Sequence, residues 1–226
     1  RPAQQQRVAE CLLVRAVRAN PGDPAVLAAV DKAVASLSAE QAARPDFDQA
    51  TTRDDFAASF VDGKLAAAAS QPDQALQSFE KSCRQKADFA PAYAERMRLH
   101  LAAQDYDKAL AVRDEAGKAE LKSAAVYHLA GRAWMAKKNL VKALDELRLA
   151  EQLDRENPAV LLDLADAFWA DNQRPRAMDR LHRVYDKDKK NLAALVRLAR
   201  FNEAMNNYDE ALTYATAAQK LDPKNP

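Results

Sequence analysis

The residues able to do chemistry are sparse in this sequence and far apart. Its three histidines, His100, His128 and His182, have no second histidine or cysteine at the i, i+4 spacing by which a helix presents two metal ligands. The two cysteines, Cys11 and Cys83, suit neither a disulfide framework nor a metal cluster. We therefore expect no metal site and no cofactor.

Carboxylates and glycines carry no catalytic signal either. Acidic side chains such as Asp105, Asp107 and Glu146 fall on predicted solvated helix faces, which do not hold a paired acid and base together. The four glycines are isolated from one another and form no phosphate-binding loop. The chain is predicted to be no enzyme, and any catalytic domain would have to lie outside this segment.

The composition favours a folded, helical chain. Hydrophobic residues make up 48% and charged residues 30% of the 226 residues, and helix-favouring types dominate. No apolar run approaches the ~20 residues that cross a bilayer, so direct membrane insertion is not expected. A net charge of +1 gives no basic surface for nucleic acid. Two cysteines favour a cytoplasmic over a periplasmic location only slightly, so the localisation stays open.

A 34-residue period organises the sequence. It is clearest in Leu192–Asn225, where two amphipathic segments are joined by an Asn-Asn turn and closed by Asp-Pro. Steps of 34 residues towards the N-terminus from Leu192 predict five repeats, numbered one to five in chain order: 56–89, 90–123, 124–157, 158–191 and 192–225.

The part of the chain before Phe56, 1–55, fits the period less well. It predicts the second helix of an upstream repeat, followed by a degenerate repeat that Pro45 interrupts, with a loop at 44–52. The interruption at 38–55 is explained either by drift in a terminal repeat or by a specialised partner-binding or hinge loop. Both ends of the chain look cut from something longer.

Small residues recur at fixed positions of the repeats, counted from the first residue of each. Position 20 is alanine in all five repeats, and positions 8 and 27 are mostly small. The alanines at position 20 are Ala75, Ala109, Ala143, Ala177 and Ala211. Such columns indicate helices that approach closely, because ridges pack into grooves there only when the side chains are small.

With these columns, the units resemble tetratricopeptide repeats. Repeat three carries the family's signature residues Tyr127, Gly131, Trp134, Ala143 and Ala150, and repeat five carries Leu195, Leu198, Tyr208, Ala211, Ala218 and Pro223. Repeat two departs from the pattern with Arg96 and Arg113 at usually apolar places. The resemblance implies an all-α, right-handed superhelical solenoid of antiparallel helix hairpins.

The resemblance also implies a binding surface on the first helix of each repeat, mainly at positions 2, 5, 9, 12 and 13. Position 9 forms a row of four cations and one anion: Lys64, Arg98, Arg132, Asp166 and Arg200. Positions 5 and 12 supply the ring and apolar side chains Phe60, His128, Leu162, Met135 and Trp169. Position 13 is alanine throughout, which leaves room for a ligand backbone.

This pattern predicts a groove with an apolar floor and a cationic row that binds an extended or helical peptide with acidic residues. The alternative is that the arginines are ordinary solvated helix formers, and that Met135 and Trp169 pack against the next hairpin. A clamp of Lys and Asn for a C-terminal carboxylate is not expected, since position 9 has no Asn and position 5 no Lys.

The predicted function is a non-catalytic scaffold or adaptor for a protein or peptide partner, within a larger protein in a multiprotein assembly. By analogy, the Ala- and Arg-rich composition suggests a bacterial motility, secretion or export machinery. The alternatives are a structural self-assembly or oligomerisation module, and a regulatory array tethered to an enzyme domain outside this segment. The identity of the partner and the oligomeric state stay open.

Overall fold

A computed structural model describes residues 2–36 and 55–223, with the helix backbone alone for residues 2–10. The regular structure in these ranges is α-helical. The twelve helices described there are α1 (Pro2–Ala19), α2 (Pro24–Ala35), α3 (Phe56–Ala68), α4 (Pro72–Gln85), α5 (Ala90–Ala102), α6 (Tyr106–Lys118), α7 (Ala124–Ala136), α8 (Leu140–Leu153), α9 (Pro158–Ala170), α10 (Arg174–Lys187), α11 (Leu192–Ala204) and α12 (Tyr208–Leu221). The predicted interruption at 38–55, with its loop at 44–52, lies outside the described residues apart from Asp55.

The helices recur with the period that the sequence predicts. The first helices α3, α5, α7, α9 and α11 begin at residues 56, 90, 124, 158 and 192, and the second helices that follow them begin at 72, 106, 140, 174 and 208. Helices α3 and α4, α5 and α6, α9 and α10, and α11 and α12 pack as pairs. The predicted all-α fold of helix hairpins is confirmed.

The chain divides into two compact units, Arg1–Leu129 and Ala130–Pro226, with the boundary inside α7. We call them the N-terminal unit and the C-terminal unit.

Side chains just before the helices fix where they begin. The Asp55 carboxylate accepts the backbone N–H of Ala58 at 2.9 Å before α3, and the Asn191 side chain accepts that of Ala194 at 3.0 Å before α11. Each satisfies an N–H that has no partner within its helix. Asp55 also forms a 2.5 Å ion pair with Arg18, which ties α1 to the start of α3.

Aromatic rings fill the core of the N-terminal unit where α3 and α4 meet the start of α5. The Phe60 ring lies 5.7 Å from Phe79 and 5.1 Å from Phe89, the latter edge to face, and Phe56 contacts Phe89 from the other side at 5.0 Å. Phe79 and Phe89 are fully buried. Burial of such a ring contributes roughly 1.5–3 kcal/mol, so this cluster is a main source of cohesion in the unit.

Glycine at position 8 lets the two helices of a hairpin approach closely. A Cβ atom on Gly63 would lie 2.5 Å from the Phe79 ring, and one on Gly131 would lie 2.5 Å from Cγ of Leu147. Phe79 and Leu147 both occupy position 24 of their repeats. A large residue at position 24 therefore fills the space that the glycine at position 8 leaves open.

The alanine column at position 20 is buried, as expected for a close helix contact. Its residues in the first four repeats are 0% exposed and Ala211 in the last repeat is 9% exposed. Position 27 is likewise buried in all five repeats. The small columns seen in the sequence thus mark the lines along which helices touch.

The turn within each hairpin contains one residue with left-handed backbone. Position 15 has φ between 57° and 65° in all five repeats, and the residues there are Ser70, Gln104, Lys138, Asn172 and Asn206. Asparagine tolerates this conformation better than most residues, whereas lysine, glutamine and serine bear the steric cost of a Cβ atom. The turns of repeats four and five, with Asn172 and Asn206 at this position, are therefore the least strained.

The two arginines that depart from the family pattern have partners inside the N-terminal unit. Arg96 is only 8% exposed, and its guanidinium donates to both carboxylate oxygens of Glu115 at 2.6 and 3.4 Å. The Arg113 guanidinium lies 4.8 Å from the centre of the Tyr127 ring. A paired guanidinium avoids the large cost of an isolated buried charge.

The C-terminal unit is held by leucines and one aromatic stack. Leu161 and Leu164 on α9 and Leu195 on α11 are at most 1% exposed. Trp169 at the end of α9 stacks on Phe201 of α11, with ring centres 3.9 Å apart and planes 12° from parallel. This stack joins successive first helices.

Substituting Gly131→Ala is expected to destabilise the protein by about 1–3 kcal/mol, because the new methyl group would overlap a buried leucine. The matched control is Gly117→Ala on α6, where the nearest atom to the added Cβ is the flexible end of Arg113, at 3.0 Å. There alanine should stabilise the helix by up to about 1 kcal/mol. Urea unfolding followed by circular dichroism measures both. Equal effects of the two substitutions would contradict the close-contact explanation.

Substituting Lys138→Gly is expected to raise the melting temperature by about 1–3 °C, because glycine relieves the left-handed strain of about 1–2 kcal/mol and loses part of the gain to unfolded-state entropy. Two residues away, Ala136→Gly at the end of α7 should lower the melting temperature, since φ is not positive there. Thermal unfolding of the two variants side by side checks the opposite signs. A lower midpoint for Lys138→Gly would refute the role given to this turn.

Candidate functional site

The position 9 side chains lie on five first helices, and they differ widely in exposure. In the N-terminal unit, the Lys64 side chain is 16% exposed and that of Arg98 is 52% exposed. In the C-terminal unit, Arg132 is 56%, Asp166 25% and Arg200 64% exposed. The three arginines therefore have more than half of their side-chain surface available to a partner.

Lys64 is occupied within the N-terminal unit. Its ammonium group lies 2.5 Å from a carboxylate oxygen of Asp31 on α2 and 3.1 Å from one of Glu95 on α5. The same Glu95 oxygen accepts a 2.6 Å hydrogen bond from Arg98. Two cations and two anions thus form one balanced chain of ion pairs along this face. Lys64 was predicted to bind a partner, but its contacts give it a structural role.

The C-terminal unit repeats this arrangement with Asp166 at its centre. Asp166 accepts from Arg197 at 2.9 Å and from Arg200 at 3.2 Å, both of them on α11. Arg132 lies 3.8 Å from the Asp163 carboxylate, a longer and weaker contact. The exposed Glu203, one turn after Arg200 on α11, adds a third anion to Asp163 and Asp166 on this face.

These pairs share one register that sequence reasoning missed. A charge at position 9 meets the opposite charge at position 6 of the next repeat: Lys64 with Glu95, Arg132 with Asp163 and Asp166 with Arg197. The sign is inverted in the last pair, yet the pairing is kept. Opposite charges at this constant spacing are visible in the sequence, and they would have identified Glu95, Asp163 and Arg197.

Position 5 is mostly core. Phe60 is 2% and Leu162 is 8% exposed, so these two predicted binding residues pack within the fold. His128 is partly exposed. Only Val196 in the last repeat is clearly exposed, at 39%. Position 5, which is a binding position in the family, therefore exposes less side-chain surface in this chain than the resemblance implied.

The side chains at positions 12 and 13 of the repeats are more exposed than those at position 5. Met135 and Trp169 are partly exposed, although Trp169 also stacks on Phe201 as the alternative interpretation expected. The alanines at position 13 lie at the surface, partly or fully exposed, in all five repeats: Ala68, Ala102, Ala136, Ala170 and Ala204. Near each arginine there is therefore a small, open patch of backbone.

A cavity of about 270 Å³ opens on the first-helix face of the N-terminal unit. Its wall is apolar where Leu27, Phe60 and Ala94 contribute, and it is charged where Glu95 and Arg98 contribute. A site of this size and mixed lining suits one or two side chains of a peptide.

The described residues show no arrangement that points to catalysis. Burial raises the pKa of the Cys83 thiol to about 11, so it is protonated and unreactive at neutral pH. No group of three or more His, Cys, Asp or Glu residues in the described ranges could hold a metal ion. Among the helices described, none is both long and apolar enough to cross a membrane.

Comparisons with known proteins agree with this geometry. Residues 168–226 match the family model of the tetratricopeptide repeat, and no curated protein matches the sequence. PilF of Pseudomonas aeruginosa is 15% identical, with a TM-score of 0.67 over 100% of this chain and 96% of that one. MamA of Desulfovibrio magneticus RS-1 is 16% identical, with a TM-score of 0.63 over 72% and 92%. YrrB, described as a protein with an unusual peptide-binding site, is 16% identical, with a TM-score of 0.61 over 77% and 90%.

The matched model confirms the tetratricopeptide repeat over residues 168–226, and the shared fold agrees with the resemblance over the rest of the described chain. The fold is generally one of non-catalytic scaffolds for protein–protein interaction. At these identities the structural likeness concerns the fold alone, so a specific partner has to be inferred from the residues.

The Asp166–Arg197 pair should contribute more to stability than the Arg132–Asp163 pair, because it is shorter and less exposed. Double-mutant cycles with alanine are expected to give a coupling of about 0.5–1 kcal/mol for the first pair and below about 0.5 kcal/mol for the second. Urea unfolding at low salt measures both. Equal couplings, or a larger one for Arg132–Asp163, would contradict this ranking.

Proposed function

We propose that this protein is a non-catalytic adaptor that binds an acidic peptide segment of a protein partner on its first-helix faces. The observation that carries the proposal is that Arg98, Arg132 and Arg200 are each more than half exposed. Each lies one turn before a surface alanine at position 13 of its repeat. A peptide backbone could approach there, with its carboxylates reaching the guanidinium groups.

Their internal partners leave these arginines with free donor capacity. A guanidinium has five N–H groups, and Arg200 donates one of them to Asp166. A bidentate contact with a partner carboxylate can therefore form while the internal pair persists. Lys64 has less capacity, since two carboxylates already occupy two of the three N–H donors of its ammonium group and the side chain is only 16% exposed.

The C-terminal unit is the stronger candidate for an acidic ligand. It carries two of the three arginines that are more than half exposed, Arg132 at 56% and Arg200 at 64%. The charges are balanced on the N-terminal face, and the small cavity there suits an apolar anchor of the peptide. Complementary charge steers encounter and selects the partner more than it raises affinity.

The setting is proposed by analogy. YrrB, which shares the fold, is described as having a peptide-binding site, and this supports the same mode of use here. A bacterial motility, secretion or export assembly stays the proposed context, and it rests on the Ala- and Arg-rich composition.

The test begins with a library of random dodecapeptides displayed on phage and selected on the whole chain. We expect enrichment of peptides that combine acidic and apolar residues. In the double variant Arg132→Glu/Arg200→Glu, affinity for such a peptide should fall tenfold or more, as measured by fluorescence polarisation. Raising the salt should weaken binding to the unmodified chain, because exposed charges are screened.

The matched control is Arg148→Glu/Lys187→Glu, which changes the net charge by the same amount. These side chains are 42% and 61% exposed, and they lie on the second helices α8 and α10. The control should retain the affinity. An equal loss in both double variants would show that net charge alone matters, and selected peptides without acidic residues would refute the acidic ligand.

A further inference from the structure

The last hairpin, α11 and α12, concentrates the exposed apolar surface of the protein. Among the described residues, eight large hydrophobic side chains are exposed, and four of them lie on this hairpin: Val196, Tyr208, Leu212 and Leu221. Tyr208 is 64% and Leu212 is 68% exposed. Scattered apolar residues are normal on a protein surface, but a cluster of this kind marks an interaction site.

A groove of about 570 Å³ lies within the same surface. Its floor is built of small residues, including Ala199 and Ala215. These two occupy positions 8 and 24, which in repeats one, three and four pair a small residue with a large one, as Gly131 does with Leu147. In repeat five both are small, so no side chain at these two positions fills the space. An apolar cavity of about 150 Å³ already takes up a benzene-sized group, so this groove has room for more than one large side chain.

The surface carries projecting groups that match its own groove. Leu212 and Tyr208 stand beside the alanine floor, and both also line the groove. Arg200 and Glu203 lie on α11 at the other side of the groove, so one cation and one anion accompany the apolar area. A two-fold interface brings the same patch of two copies together, so that the projection of one copy can face the cavity of the other and a cation can face an anion.

We propose that a second copy of this chain covers the last hairpin, in a two-fold symmetric dimer. Leu212 of each copy enters the groove floored by Ala199 and Ala215 of the other. Arg200 of each copy pairs with Glu203 of the other. The helices are about 20 Å long, so the interface between the two hairpins is small. This surface shares Arg200 with the proposed peptide contacts and does not include Arg98 or Arg132.

The experiment is sedimentation equilibrium of the whole chain from about 1 to 300 μM. The mass should rise with concentration from the monomer value of 25.0 kDa towards twice that value. Leu212→Glu should raise the dissociation constant at least tenfold while the circular dichroism spectrum stays unchanged, because this side chain is exposed in the monomer. The matched control, Val141→Glu on α8, alters a side chain that is 71% exposed and should leave the dimer intact.

A charge exchange tests the pairing itself. Arg200→Glu places like charges opposite each other in the symmetric dimer, and so does Glu203→Arg, so each variant alone should be mostly monomeric. An equimolar mixture should restore a heterodimer, in which each altered residue meets its opposite charge. A chain that is monomeric at every concentration overturns the proposal and leaves the surface to a different partner. A dimer that Leu212→Glu leaves intact, or a mixture that stays monomeric, also overturns it.

Discussion

The structure depends on the close contact between the two helices of each hairpin. Alanine at position 20 is buried in every repeat, and glycine at position 8 leaves no room for a methyl group in repeats one and three. The paired helices are also nearly equal in length, since each first helix has 13 residues and each second helix 13 or 14. The chain can reverse between them only through a short turn, which accounts for the left-handed residue at position 15. The constant repeat length follows from these helix and turn lengths.

Ion pairs between successive first helices serve this architecture before they serve any partner. The contact from position 9 to position 6 of the next repeat survives an exchange of sign between Arg132–Asp163 and Asp166–Arg197. A column selected only to hold an acidic ligand would have kept its sign. The charges therefore contribute modestly to the contact between neighbouring hairpins, and a partner can use only the donor capacity that is left. The exposed fraction of the side chain distinguishes a charge that serves the fold from one that a partner can reach, since Lys64 is mostly buried and Arg200 is mostly exposed.

Sequence reasoning succeeded where a physical constraint repeats at a fixed position. The small columns and the Asn-Asn turn predicted the hairpins, because close contact and left-handed backbone each restrict the residue types at one place. It was less successful at the site, where the position numbers were transferred from the family. Phe60 is at a family contact position but is buried by Phe79 and Phe89, a packing arrangement particular to this chain. The ion pairs were missed because position 9 was compared only with itself, and pairing requires comparison with position 6.

Arg200 links the two proposals. It belongs to the ion pairs of the C-terminal unit, through its contact with Asp166, and it also lines the groove of the last hairpin. If its free donors bind Glu203 of a second copy, they are not available to a carboxylate of a peptide. Binding to a shared group makes two equilibria antagonistic by the same factor in both directions. Self-association would then weaken peptide binding at repeat five and leave Arg98 in the N-terminal unit unaffected, so a protein of this design would exchange one partner for the other as its concentration changes.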